Sequence, residues 1–411
     1  MRIPRPPSRR RPPSSPRFRL FALGQTVSNT GTWMQKVAQD WLALHLSHGS
    51  GTVLGIITAL QFLPLLLLGP YGGVLVDRYC TRRILLLSQA VMAALALIPA
   101  LLVATGTARL DAVYGLALAL GLTMTVDKPA LQAYLAESVA PGQLVSALAV
   151  NSAVLNLARM AGPALAGPLI LAFGPGPAFL ANALSYLVVI ACLLRADPGA
   201  VRPAPAVARA KRQVREGLAY VRGHRPIMLT LVLVAVVAAF GMNFQITTAL
   251  MITQVYRAPA AVFGLGNTAL AAGSVIGSLL AIRHPRTGGR QLAAAALAFG
   301  TLEAGCALMP GCIGFLVLLV PTGTAMLVFL TAAKARLQLE AGEGMRGRVT
   351  SLYLLATLGT TPLVAPVIGW IAQDAGPRAA LALGGTVSAV AAVTIGLLHP
   401  RPAGPAAMAG C

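Results

Sequence analysis

The sequence predicts an all-α integral membrane protein with twelve transmembrane helices, arranged as two six-helix bundles. Two features of the composition support this fold class. Hydrophobic residues make up 56% of the 411 residues and charged residues only 10%, whereas an average soluble protein is about 25% charged. The mean hydropathy of the chain is +0.75. Because a transmembrane helix needs about 20 mostly apolar residues, the chain is long enough for twelve helices joined by short loops.

Twelve apolar runs divide the chain, and each is long enough to cross a bilayer. Between the sixth and seventh runs, Val214, Leu218 and Val221 recur at helical spacing within a long polar segment. This spacing predicts an amphipathic helix that lies on the membrane surface. The runs are 19–45, 52–76, 84–105, 111–132, 144–172, 176–195, 227–253, 260–283, 290–309, 312–334, 348–373 and 377–398.

The runs and the polar segments between them define five regions. We expect a disordered basic cytoplasmic tail at 1–18, a first six-helix bundle at 19–195 and a cytoplasmic linker at 196–226. A second six-helix bundle at 227–398 and a cytoplasmic tail at 399–411 complete the chain. The first tail is rich in Pro, Ser and Arg and has no apolar stretch, so it is not expected to be a cleaved signal peptide.

The distribution of basic residues predicts the orientation of the chain. With the N-terminus in the cytoplasm, the segments on that side hold 26 of the 32 Lys and Arg residues, and the opposite side holds only Arg109, Arg257 and Arg378. Since basic residues concentrate in cytoplasmic loops, we expect a multi-pass protein of the cell membrane with both termini in the cytoplasm. The net charge of +21 then reflects topology and not nucleic-acid binding.

Sequence signatures of catalysis and of ATP-driven transport are missing. The four lysines form no GxxxxGK[ST] loop, the five histidines form no HExxH motif, and neither GxSxG nor CxxC occurs. We therefore expect a protein that is not an enzyme, holds no metal and uses no cofactor. Secondary transport driven by an ion gradient is the usual function of twelve helices in two halves.

A charged loop motif follows the second apolar run. Residues 73–83 read Gly-Val-Leu-Val-Asp-Arg-Tyr-Cys-Thr-Arg-Arg, which resembles the loop signature of the major facilitator superfamily with departures at Cys80 and Thr81. The resemblance implies the major facilitator fold and a cytoplasmic gate between its halves. The alternative is three basic residues that anchor a short turn at the lipid head groups. With one acidic residue from the fourth run, the gate candidates are Gly73, Asp77, Arg78, Arg82, Arg83 and Asp127.

Four further stretches are similar to one exporter branch of this superfamily, which includes enterobactin-type siderophore exporters and macrolide efflux proteins. They are residues 32–41, 127–133, 151–167 and 346–353. The resemblance implies a proton-driven transporter whose halves rock around a central site. It further implies efflux of an amphipathic small molecule such as a drug, an antibiotic or a siderophore. The expected partners are this substrate, the proton and the lipid bilayer, with no nucleic acid, and the chain is expected to act as a monomer.

Ionisable residues inside the membrane are candidates for function because their burial is costly. Arg159 lies about 15 residues into the fifth run, just before Gly162 and Pro163, which form a predicted helix bend together with Gly167. We expect Arg159 to bind an anion or to partner a carboxylate, with a purely structural pair as the alternative. Glu303 lies near the middle of the ninth run and is a candidate carrier of the coupling proton; the alternative is a neutral acid that binds another helix.

Charged residues near the helix ends allow two further predictions. Lys36 and Asp40 lie one helical turn apart near the outer end of the first run, so we expect a surface ion pair, with an outer gate as the alternative. Asp127 lies near the inner end of the fourth run. We expect it to pair with Arg78, Arg82 or Lys128 as part of a cytoplasmic latch.

Uncharged polar residues are the candidates for the wall of a central cavity. In the superfamily that the loop motif resembles, the first, fifth and seventh helices line this cavity. Hydrogen bonds between helices are the alternative function of such residues. The candidates are Gln25, Ser28, Asn29, Asn151, Asn156, Asn243 and Gln245.

Two other functions remain open at this point. The first is an importer or facilitator of a small metabolite, and the second is a membrane receptor or scaffold that transports nothing. Aromatic residues make up only 5% of the chain, which favours the wide apolar cavity of an exporter over a sugar site. A charge as deep as Arg159 is not expected in a scaffold.

Overall fold

The computed structural model describes residues 16–196, 213–283 and 288–398, and every regular element in these ranges is a helix. The predicted all-α fold is therefore confirmed. The predicted tails, apart from residues 16–18, and the greater part of the predicted linker lie outside the described residues. The first six helices are α1 (Pro16–Leu46), α2 (Gly51–Arg78), α3 (Thr81–Ala104), α4 (Leu110–Glu137), α5 (Leu144–Phe173) and α6 (Gly176–Arg195).

The later helices begin within the predicted linker. There a short helix, α7, contains the predicted amphipathic spacing, with Val221 buried and Leu218 exposed. The other later helices agree with the predicted runs to within a few residues, apart from breaks in two of them. The set is α7 (Gln213–Gly223), α8 (Arg225–Phe240), α9 (Phe244–Leu250), α10 (Ala260–Arg283), α11 (Gly289–Leu308), α12 (Cys312–Glu340), α13 (Arg346–Leu358), α14 (Thr361–Asp374) and α15 (Pro377–Leu398).

Among the described residues, eleven helical segments are long and apolar enough to cross a membrane, where the sequence predicted twelve. The difference is α1, whose 31 residues extend over roughly 46 Å at 1.5 Å per residue. α1 packs against α5 and α6, and its polar residues Gln25, Ser28, Gln35, Gln39 and Asp40 are buried. A helix surrounded by protein can be this polar because its side chains find partners there instead of lipid.

Two of the predicted membrane spans are interrupted. The seventh consists of α8 and α9, which are separated at residues 241–243, and α9 continues into a π-helical turn at Met251–Val255. The eleventh consists of α13 and α14, separated at residues 359–360. The second break adjoins Pro362, where a proline occupies the first turn of α14 and cannot donate a backbone hydrogen bond to α13.

α5 continues without interruption through the predicted bend at Gly162, Pro163 and Gly167. The small residues of this segment instead permit close contact with α10. A methyl group on Gly167 would lie 2.9 Å from Cα of Ala261, and one on Gly264 would contact the carbonyl oxygen of Pro163. α5 and α10, like α2 and α14, therefore join the first six helices to the later ones.

One face of the bundle bears the α1–α2 and α14–α15 loops. Contacts between the first six helices and the later helices close this face. We call it the closed face. Ser50 Oγ donates a hydrogen bond of 2.6 Å to Gln373 Oε1, and Gln254 donates one to the carbonyl oxygen of Gly49. Gly51 and Gly369 touch through their backbones, since a methyl group on Gly51 would lie 2.6 Å from the carbonyl oxygen of Gly369.

Candidate functional site

A cavity of about 300 Å³ lies where the first six helices meet the later ones. Its wall combines apolar side chains with three ionisable residues, Lys36, Asp40 and Arg159. Helices α1, α2 and α5 form one side. The other side is formed by α9, α10, α12, α13, the start of α14 and the break before α9. The apolar and aromatic part of the wall includes Trp33, Val37, Phe62, Met242, Phe244, Ile246, Leu270, Met326, Leu327 and Leu330.

Asp40 is held by a residue from the opposite side of the cavity. Gln245 Nε2 on α9 lies 3.0 Å from Oδ1 and 3.1 Å from Oδ2 of Asp40 on α1. Only 3% of Asp40 is exposed. This contact links the two sides of the cavity through a pair of hydrogen bonds to one carboxyl group.

Two cations lie close to the ring of Trp33. Lys36 Nζ is 5.2 Å from the ring centroid, and the guanidinium carbon of Arg159 is 5.0 Å from it. Both distances fit cation–π contact. In the described part of the chain, neither cation has a hydrogen bond or an ion pair. Arg159 is therefore available to an anion in the cavity, whereas the charge of Lys36 also interacts with Asp40.

The helices explain why these groups meet. Trp33, Lys36 and Asp40 are spaced by three and four residues, so they lie along one face of α1. Arg159 comes from α5, which approaches α1 closely because Gly162 has no side chain: a methyl group there would lie 2.5 Å from Cβ of Trp33.

The predicted surface position of Lys36 and Asp40 is wrong, although their charges interact as predicted. Both residues line the cavity, and the carboxylate of Asp40 is bound by Gln245. Their position near the end of the first apolar run suggested the membrane surface, but α1 is surrounded by other helices there. Their shared helix face with Trp33 was the available signal.

Three of the predicted substrate or coupling residues lie on the cavity wall, namely Arg159, Asn243 and Gln245. Asn243 Nδ2 donates to the carbonyl oxygen of Ala239 at 2.7 Å, and so binds the last turn of α8 where the helix breaks. Gln245, two residues later, reaches Asp40. The break between α8 and α9 thus aims both amides at the cavity region.

The other uncharged candidates do not line this cavity. Asn29 donates to the carbonyl oxygen of Gln25 at 2.7 Å, and Asn156 donates to that of Ser152 at 3.0 Å. Both bonds stay within one helix, where such residues commonly bind the preceding turn. The candidates that lie away from the wall are Gln25, Ser28, Asn29, Asn151 and Asn156.

Glu303 is also absent from the cavity wall. It is only 2% exposed and lies in α11, against Gly241 at the end of α8 and Gly384 of α15. Its Oε2 atom is buried and has no hydrogen-bond partner among the described residues. Glu303 therefore lies on the side of the α8–α9 break that faces away from the cavity.

The gate candidates have mixed surroundings. Asp77, Arg78 and Arg83 are exposed, whereas Gly73 is buried. Arg82 Nη2 donates to the carbonyl oxygens of Leu193 at 2.8 Å and Leu194 at 3.1 Å. Arg82 thus binds the C-terminal end of α6, where carbonyl groups lack helical partners.

The predicted partners of Asp127 are wrong. The expected bases were Arg78, Arg82 or Lys128, but its Oδ1 accepts hydrogen bonds from Ser88 Oγ at 2.7 Å and Gln89 Nε2 at 2.9 Å. Both donors belong to α3. Asp127 is therefore a buried carboxylate that joins α4 to α3 through neutral donors.

Comparison with known proteins assigns the chain to a family. Among curated relatives, it is 24% identical over 254 residues to the staphyloferrin A transporter of Staphylococcus aureus, covering 61% of this chain and 63% of that protein. It is 28% identical over 291 residues to the MFS-type transporter YfiS of Bacillus subtilis, covering 69% and 67%. The chain thus aligns with only about two thirds of the length of these relatives.

Solved structures share the fold at low sequence identity. The nucleoside transporter NupG superposes with a TM-score of 0.74 at 11% identity, covering 94% of this chain and 100% of that one. A bacterial homologue of the lysosomal transporter Spinster gives 0.72 at 15% identity, covering 94% and 98%. The family model described as "Transmembrane secretion effector" matches residues 8–409. The chain therefore belongs to the transmembrane secretion effector family of major facilitator transporters, which are multi-pass membrane proteins.

Proposed function

We propose that the chain exports an anionic, amphipathic small molecule in exchange for protons, by alternating access between halves at 19–195 and 227–398. The contact between Asp40 and Gln245 is the observation that carries this proposal. It places a titratable group in the cavity and joins it to the opposite half. The description of the family as secretion effectors supports the outward direction.

The proton step follows from the chemistry of this contact. Gln245 donates to both carboxylate oxygens of Asp40, and the form that accepts at both oxygens is the ionised one, so we assign this conformation to the transporter after its proton has left. When the halves separate at the closed face, Gln245 moves away with its half. Asp40 then faces the opened side without its donor and can take up a proton from that side.

The substrate class follows from the rest of the cavity. Lys36 and Arg159 supply two positive charges beside an aromatic ring, which suits a carboxylate or another anion. The remaining wall is mainly apolar, so the body of the substrate is hydrophobic or aromatic. The name of one relative, the staphyloferrin A transporter, is consistent with an organic cargo of modest size.

The direction depends on the orientation of the bundle. In the orientation that the basic residues predict, both termini are cytoplasmic and the closed face is extracellular. The cavity would then be closed to the outside and ready to receive cargo from the cytoplasm. A single cysteine introduced at Ser47, in the α1–α2 loop, should react with a membrane-impermeant maleimide in intact cells, whereas one at Gly223 should not. The reverse pattern would invert the proposed direction.

The function is tested first by finding a substrate and then by removing the proton site. A deletion strain and an overexpressing strain are compared across a panel of anionic amphipathic compounds, with and without a protonophore. The compounds that depend on the protein are then assayed in proteoliposomes with an imposed pH gradient.

In this assay Asp40→Asn should lower proton-driven efflux about 100-fold, because a neutral amide carries no proton. Asp374→Asn, the same change at an exposed position outside the cavity, is the matched control and should transport normally. Uptake in place of efflux would indicate an importer. Gradient-driven transport by Asp40→Asn at the wild-type rate would rule out Asp40 as the proton carrier.

A further inference from the structure

The break between α8 and α9 has a second polar neighbour on the side away from the cavity. We propose that Glu303, Ser388 and the carbonyl oxygen of Phe240 form a binding site for a sodium ion. The site belongs to three helices, α11, α15 and α8, and it is separate from the cavity wall. It does not rest on the proposed substrate or on proton coupling through Asp40.

The oxygen atoms of these residues converge around two glycines. A methyl group on Gly241 would lie 2.6 Å from Ser388 Oγ and 2.8 Å from Glu303 Oε2. A methyl group on Gly384 would lie 2.6 Å from the carbonyl oxygen of Phe240 and 2.9 Å from Glu303 Oε1. The carboxyl group thus lies between two positions without side chains, with a hydroxyl on one side and a carbonyl on the other.

Two of these oxygens have no partner. Glu303 Oε2 and Ser388 Oγ are both buried and without a hydrogen bond in the described part of the chain. Ser388 is 0% exposed and Glu303 is 2% exposed. Buried polar atoms in native proteins are nearly always paired, so two orphans at one place indicate a ligand that contacts both.

A cation at this place would neutralise Glu303. The charged residues of the helices around Glu303 are near helix ends, remote from the middle of α11. They are Arg225, Arg290 and Arg378 in the first turns of α8, α11 and α15, and Lys334, Arg336 and Glu340 in the last turns of α12. Cys306, one turn along α11, is a free thiol bonded to Thr322. A carboxylate with no nearby counter-charge is strongly disfavoured in the membrane interior.

The helix break adds to the attraction for a cation. Phe240 is the last residue of α8, and the C-terminal end of a helix carries partial negative charge. The carbonyl oxygen of Phe240 accepts one long hydrogen bond, of 3.4 Å from Asn243 Nδ2, and its second lone pair remains for a cation. Broken membrane helices use such carbonyls to hold sodium or protons. A proton can join only two oxygens, whereas a sodium ion gathers several, and here carboxylate, hydroxyl and carbonyl oxygens approach one another.

The position of the site gives the ion a role in transport. Residues 242–245 of the same break line the cavity, and Gln245 binds Asp40. An ion bound to the carbonyl oxygen of Phe240 would hold the break in one conformation from the side that faces away from the cavity. Sodium should therefore stabilise the conformation in which Gln245 reaches Asp40, although it never enters the cavity.

Sodium binding to the purified full chain tests the proposal. Radiolabelled sodium should bind, and sodium chloride should raise the melting temperature relative to choline chloride at equal ionic strength. Glu303→Gln should abolish both effects, and Ser388→Ala should weaken sodium affinity about tenfold by removing one ligand. Asp111→Asn, which neutralises an exposed acid far from the site, is the control and should bind normally.

The possible results separate this site from the proposed function. Asp40→Asn should keep sodium binding even where it loses proton-driven transport. Absence of sodium binding by the wild-type chain would overturn the proposal, as would sodium binding that Ser388→Ala leaves unchanged. A melting temperature that responds to pH but not to sodium would also overturn it, and loss of that pH response in Glu303→Gln would identify Glu303 as a neutral acid. If Glu303→Gln does not fold, the wild-type chain and Ser388→Ala decide the matter.

Discussion

The two sides of the cavity differ in both charge and backbone. α1 and α5 are unbroken helices that carry Lys36, Asp40 and Arg159, whereas the opposite side presents the uncharged amides of Asn243 and Gln245 at a break between helices. Charges are held on rigid elements, where their desolvation is compensated by fixed neighbours. The hydrogen-bonding amides lie at a helix break, where the backbone departs from regular geometry. The charged groups and the irregular backbone are therefore on different sides of the cavity.

The largest loss of transport is expected from replacement of Arg159, on the charged side of the cavity. Arg159→Ala should reduce transport and substrate affinity about 100-fold, since a substrate anion would lose a desolvated positive partner. Arg159→Lys should retain part of the activity, because Arg159 contacts Trp33 and makes no hydrogen-bonded fork with the described residues. Transport in proteoliposomes and binding by calorimetry provide the measurements.

Arg290→Ala, a change at an exposed position in the first turn of α11, is the matched control for Arg159→Ala. The comparison would fail if folded Arg159→Ala transported as fast as the wild-type chain. It would need revision if lysine failed as completely as alanine, because the guanidinium geometry would then matter more than its charge.

A smaller and more selective effect is expected from Gln245 on the amide side. Gln245→Ala should slow proton-driven transport about tenfold, because Asp40 would lose the donor that stabilises its ionised form. Substrate exchange without a pH gradient should change little, since the cations beside Trp33 remain. Gln291→Ala, at an exposed position on α11, controls for loss of an amide. Equal loss in both assays would show that Gln245 serves substrate binding and not the proton.

The smallest effect is expected at Asn156, one turn from Arg159 on the same helix. Asn156→Ala should change transport less than about twofold, because its amide donates to the carbonyl oxygen of Ser152 in its own helix. Initial transport rates of the two α5 variants, compared at equal membrane levels, make the measurement. A loss comparable to that of Arg159→Ala would extend the substrate path along α5.

Most of the fold could be predicted because lipid imposes a simple rule on the sequence. Apolar runs located the helices to within a few residues, and α1 was found even though it is too polar to rank among the apolar spans. The break at 241–243 was not predicted, because Gly241 and Asn243 lie within an otherwise apolar run. Its stability depends on contacts with α11 and α15, which a single segment of sequence does not contain.

The candidate site was only partly predictable, because the sequence does not show which side chains contact each charged residue. Arg159 was identified because a buried charge is costly wherever it lies. Asp40 was placed at the surface, because depth along a helix says nothing about which neighbours surround it. Asp127 was assigned basic partners, but it is bound by Ser88 and Gln89. Hydrogen bonds from uncharged side chains cannot be predicted by counting charged residues.

The hydrogen bonds at the closed face contribute little energy. Its hydrogen bonds, such as the one from Ser50 to Gln373, are exposed, and bonds of this kind contribute about 0.5–1.5 kcal/mol each. Gly51 and Gly369 meet through backbone alone, with no side chains to interlock. Reversing a two-state population from 1:99 to 99:1 takes roughly 5.5 kcal/mol, a difference that ligand binding can supply. The exposed hydrogen bonds are therefore the smaller part of what opening must break, and the packing of α2 against α14 is the larger part.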